Sequence, residues 1–146
     1  YRSLENPYFF FVNEIVANQP YKALLSHIQK IFEVQEDTDL NVDVAFHYVL
    51  SRDQKLWSIQ LSMLGSYAAI WRVVGYGEVL EVIDPSTQPL SAVEVELMNI
   101  LENHGVRVLD EASLEIRVPF TLSYIPESGV RLYHALFGDY DPLPWR

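Results

Sequence analysis

Oxygen-bearing side chains recur at alternate positions in Asp37-x-Asp39-x-Asn41-x-Asp43, the spacing with which a calcium loop opens. Coordination also needs a glycine to bend the loop and a bidentate glutamate at its twelfth position. Val42 and Tyr48 stand there instead, so the run reads as a solvated connection between a helix and a strand. The four histidines, His27, His47, His104 and His134, form no pair at i, i+2 or i, i+4, the local spacings of a metal site on a strand or a helix. His104 precedes Gly105, where an imidazole can meet the terminal carbonyls of a helix. Neither a metal nor any other cofactor is expected.

Nucleophilic and phosphate-binding signatures are equally absent. The chain has no cysteine, so it offers no thiolate, disulfide or sulfur-ligated metal. Gly75-x-Gly77 would need a third glycine where Leu80 stands, and it precedes strand-like sequence rather than a helix, as a tight turn does. There is no G-x-S-x-G, H-E-x-x-H or Walker loop, although a triad assembled from distant residues would escape such a search. The paired acids Asp110 with Glu111 and Glu94 with Glu96 lack an apolar setting that would lift a pKa toward neutrality. No catalytic residue is expected, and the chain leans away from being an enzyme.

One segment mixes acids with large amphipathic rings: Asp139, Tyr140, Asp141 and Trp145, near the C-terminus. Such residue types are favoured at protein interfaces, and these four are the candidate protein-binding residues. The competing reading is that Trp145 ties the tail to the body.

The elements that must position these groups are legible from periodicity. Asn6-Pro7 resembles a cap and first helical residue, with Tyr8, Phe11, Val12, Ile15 and Val16 following on one helical face. After Pro20, Tyr21, Leu24, Leu25, Ile28, Ile31 and Phe32 form a second apolar stripe. The period then falls to two. Val42 to Tyr48 and Trp57 to Met63 alternate as two antiparallel strands around Ser51-Arg52-Asp53-Gln54. Gly65-Ser66 and the Gly75–Gly77 turn bound further strands at about 67–74 and 78–83.

Ser91 and Glu94 have capping-box spacing, so a helix starts there and Gly105 ends it. Val106–Leu109 and Leu114–Val118 read as short strands around Asp110–Ser113, and a last helix covers about 128–137. The expected fold is α+β: an antiparallel meander sheet of four to six strands, with two N-terminal helices and two helices in the C-terminal half packed mainly on one face. Its 146 residues suit a single domain.

Charge and composition narrow the partners. Formal net charge is -10; residues 1–73 carry six basic and eight acidic groups, residues 74–146 four and twelve. That sign repels phosphates and the basic residues are scattered, so nucleic acid is not an expected partner. No apolar run is long enough to span a membrane. Absent cysteine and absent Asn-x-Ser/Thr acceptors favour a cytoplasmic, soluble protein, although a leader removed before Tyr1 would leave the same sequence. The leading functional expectation is a non-catalytic binding domain of the inhibitor or immunity type, presenting an acidic, aromatic-containing surface to a basic protein. A small-ligand binder or enzyme with a site between sheet and helices, and a self-associating subunit, are the competing classes.

Overall fold

Alternation of apolar and polar residues becomes an antiparallel meander in the computed structural model, which describes residues 9–40, 43–75, 78–119 and 129–138. Helices α1 (Phe11–Asn18) and α2 (Lys22–Ile28) precede strands β1 (Glu33–Glu36), β2 (Ala45–Arg52), β3 (Lys55–Ser62), β4 (Tyr67–Val74) and β5 (Glu78–Ile83). Helix α3 (Ala92–Asn103), the short strand β6 (Arg107–Val108) and helices α4 (Glu111–Leu114) and α5 (Leu132–Leu136) follow. Among the described residues the sheet has six strands, in the order β1-β2-β3-β4-β5 with β6 joining β4 in parallel at Tyr67 and Ala68. This is the α+β meander that the sequence implies.

Local chemistry sets most of the boundaries. β2 and β3 close through Asp53-Gln54, both left-handed (φ 51° and 63°), which is the backbone of a two-residue turn matched to strand twist. Helix α3 begins with the full Ser91–Glu94 capping box and ends as Gly105 turns left-handed at φ 72°, with the Val106 N–H returning to the Leu101 carbonyl at 2.9 Å.

The sheet is covered on both sides. On one face the three longer helices bury Phe46, Leu50, Trp57, Ile59, Leu61 and Ile70 beneath Leu24, Ile28, Leu97 and Leu101. On the other, α4 and α5 pack Leu114, Tyr133 and Phe137 against Ala45, Ala69, Trp71 and Val82. Each fully buried aliphatic or aromatic side chain contributes about 1.5–3 kcal/mol. Ser58, Gln60 and Ser62, which alternate with the apolar row of β3, are therefore inside rather than facing water. Hydrogen bonds make that possible: Tyr133 Oη donates to Gln60 at 2.9 Å and Ser62 Oγ to the Leu136 carbonyl at 2.7 Å.

Several expectations shift, the first being that the helices, expected mainly on one face, cover both. The second apolar stripe ends at Phe32 and no strand is expected directly after it, but residues 33–36 form the edge strand β1. The second helix stops at Ile28, and Phe32 reaches the core through a turn. Residues 111–114, assigned to the connection between two strands, are helix α4, because the Asp110 carboxylate accepts the Ser113 N–H at 2.7 Å and nucleates a turn. Beyond it the expected strand shrinks to a single bridge between Arg117 and Arg131. Among the described residues the C-terminal half thus holds three helices, and the last spans Leu132–Leu136. The Asn6-Pro7 cap lies outside the described residues.

Candidate functional site

Among the described residues the sheet has two outer strands, β1 and β5, and β1 is the one that borders a groove with acids along it. Gln19 (φ 45°) reverses the chain after α1, and Tyr21 then pins the start of α2 over the sheet by donating its hydroxyl to the Ser62 and Gly65 carbonyls at 2.6 and 2.9 Å. Burial pushes the Tyr21 hydroxyl pKa up to about 12, so it stays a neutral donor. The chain leaves α2, turns, and returns as β1 against β2, with Gln35 opposite Val49 and Glu36 opposite Tyr48. The Asp37 N–H bonds the His47 carbonyl at 2.8 Å. Alternation along an antiparallel ladder then aims the backbone groups of Val34 and Glu36 away from β2, where no described strand receives them.

Between this edge and α2 lies a groove of about 530 Å³, with Val16, Leu25, Val34, Phe46 and Tyr48 as apolar walls and Glu36 at the strand side. Val34 and Glu36 therefore supply both the groove's margin and the outward backbone groups. Glu33, Glu36, Asp37 and Asp39 are all exposed, and no basic residue interrupts them between 33 and 39. The edge is thus hydrogen-bond competent, acidic, and bordered by a trough with an apolar floor and the polar Gln19, Lys22, Ser26 and Gln29 on its helix side.

A second cavity, of about 550 Å³, opens at the other end of the same face among Leu56, Trp57, Val73, Pro89 and Leu90. Its polar floor is a closed network. The Glu94 carboxylate receives Arg72 Nε and Nη2, each at 2.7 Å, Trp57 Nε1 at 2.9 Å and the Ser91 N–H at 2.8 Å. Arg72 also bonds Glu81 and the Pro89 carbonyl. The Arg72 hydrogen bonds hold the Glu94 carboxyl down at about 2 against the opposing effect of burial. Groups so fully engaged join α3, the Pro89 loop and the sheet; they leave little donor capacity for a ligand.

Ser58, His47 and Asp37 do assemble from distant positions, as a local motif search cannot see. His47 Nε2 hydrogen-bonds Ser58 Oγ, and His47 Nδ1 lies 3.9 Å from the Asp37 carboxylate. Burial, opposed by Asp37, lowers the His47 pKa, which favours the neutral imidazole. The resemblance to a catalytic triad ends there. Ser58 is only 4 % exposed and sits mid-strand, where its backbone belongs to the β3 ladder rather than to an oxyanion hole, and Asp37 is too far to orient the ring. The pair satisfies two enclosed polar groups.

His27 and His104, 77 positions apart in sequence, also meet: His27 Nδ1 lies 3.3 Å from His104 Nε2. Among the described residues, no group of three or more His, Cys, Asp or Glu is placed to hold a metal ion. The sequence candidates Asp139, Tyr140, Asp141 and Trp145 lie outside the described residues. The β1 edge was missed by the sequence reading, although its signal, four acids between 33 and 39, was present. Comparison with known families, curated proteins and solved structures returns no match, so function has to be argued from this geometry.

Proposed function

We propose that this chain is a non-catalytic protein-binding module that holds a basic, extended segment of another protein along β1. The observation that carries the reading is the coincidence of outward backbone groups at Val34 and Glu36 with an apolar groove directly beside them. A strand added there would pair with the edge, and its alternate side chains would enter the groove beneath α2, extending the apolar layer by one row. Lysines or arginines on the remaining positions meet Glu33, Asp37 and Asp39. Self-association by the same edge is disfavoured, because two copies would bring these acids together. The absence of cysteine suits a cytoplasmic setting, and among the described residues no helix is long and apolar enough to cross a membrane. Asp139, Tyr140, Asp141 and Trp145 are proposed as an additional contact on composition alone.

The test is a panel of short peptides alternating apolar residues with lysine, titrated into the full chain at low and moderate salt while backbone amides are followed by NMR. The expected outcome is saturable binding that weakens as salt rises, with shifted and exchange-protected amides at Val34 and Glu36. Reversing Glu33, Asp37 and Asp39 to lysine should cost about tenfold or more in affinity at low salt. Binding that ignores the reversal, or no binding by any peptide, would sink the reading. A small apolar ligand in the cavity beside Trp57 is the second reading, favoured by its apolar walls; quenching of Trp57 by such a ligand, without shifts at β1, would select it.

A further inference from the structure

We propose that His27 and His104 form a two-imidazole binding site for a divalent transition-metal ion of the zinc, nickel and copper class. His27 lies in the last turn of α2, and His104 is the residue that ends α3. Packing of these helices brings two exposed rings together edge to face, with centroids 5.6 Å apart and planes at 81°. Their facing nitrogens are 3.3 Å apart. Two ligands about 2.0–2.1 Å from a tetrahedrally coordinated ion are separated by about 3.3–3.4 Å, so the rings already stand at the bite such an ion requires. Without metal, one ring donates an N–H to the other. Coordination requires the facing nitrogen of each ring to be unprotonated, so the ion replaces the proton shared in that hydrogen bond.

The surroundings favour positive charge. The C-terminal ends of α2 and α3 converge here, each carrying the partial negative charge of its last carbonyls, and the chain as a whole is anionic. Exposure leaves the remaining coordination positions to water. Nitrogen ligands select against magnesium and calcium, which take oxygen. The bound ion would fasten α2 to α3, and neither histidine lines the β1 groove, so the site does not rest on the peptide-binding reading.

The experiment is calorimetric titration of the intact chain at neutral pH with zinc, nickel and copper salts, alongside magnesium and calcium, and histidine side-chain NMR during the zinc titration. One ion per chain is expected, copper the tightest, with no heat from magnesium or calcium. The His27 and His104 ring resonances should shift while those of His47 and His134 do not. His27→Gln and His104→Gln should each weaken binding by about tenfold or more, and the double variant little further, because either loss breaks the pair. Thermal melts of the variants confirm that they remain folded. Failure of millimolar zinc to move the two ring resonances overturns the site, as does undiminished affinity in the folded single variants.

Discussion

Asp43 is the side chain least at ease in its surroundings. It is 4 % exposed; one carboxylate oxygen accepts the Asp39 N–H at 2.7 Å and the other has no hydrogen-bond partner among the described residues. Burial drives its pKa up to about 6, against the hydrogen bond from Asp39 and with the help of the Asp39 and Asp37 charges. A carboxyl whose folded pKa exceeds its unfolded value binds more protons folded than unfolded, so stability falls as pH rises through that interval and is level above it. We expect Asp43's contribution to fall by about 1 kcal/mol or more between about pH 4 and pH 6. Asp43→Asn should flatten that segment of the profile, while keeping an acceptor for the Asp39 N–H. Urea denaturation across this range checks it; an unchanged slope in the variant would remove Asp43 as the cause.

At the scale of elements, the β2–β3 hairpin carries the clearest local conflict. Asp53 and Gln54 both hold a left-handed backbone, which aspartate tolerates through its short polar side chain and glutamine does not. Gln54→Gly removes that strain, and we expect a gain of about 1 kcal/mol in chemical denaturation, reduced by glycine's greater freedom in the unfolded chain. Gln54→Val, adding a branched Cβ at the same φ, should destabilise instead. Equal stability of the two variants would show that the turn is not under strain. The edge strand β1 has no such local flaw. It is short, and three of its four residues are exposed, which is how a sheet margin avoids indiscriminate pairing while remaining open to a partner of opposite charge.

For the molecule as a whole, Glu94 is the point at which separate parts are fastened: it ties α3 to β3 through Trp57 and to β4 through Arg72, and the same Arg72 reaches β5 and the Pro89 loop. Its carboxyl, held at about 2, gives stability that is complete above the unfolded value near 4.5 and is lost as pH falls through the folded one. Glu94→Gln should therefore cost about 2–4 kcal/mol at neutral pH, since it leaves a half-buried guanidinium without its main counter-charge, and the difference from the parent chain should shrink toward pH 2. Acid titration of both proteins by circular dichroism tests this; a penalty independent of pH would mean that packing, not charge, is what the substitution removes. What the sequence by itself determined is whatever local physics controls: the period of two in 42–48 and 57–63, the glycine turns that bound strands at 67–74 and 78–83, the Ser91–Glu94 cap, the left-handed Gly105, and so the α+β meander. Only the tertiary structure decided the rest. Whether Ser58, Gln60 and Ser62 face water or the interior, whether Glu33–Glu36 joins the sheet, and whether His27 meets His104 depend on contacts between segments far apart in the chain. Side-chain spacing records which way a residue points within its own element, but not what another element brings to meet it. For that reason the candidate groove and the imidazole pair, each built from segments that sequence reading treats separately, emerge only from the folded chain.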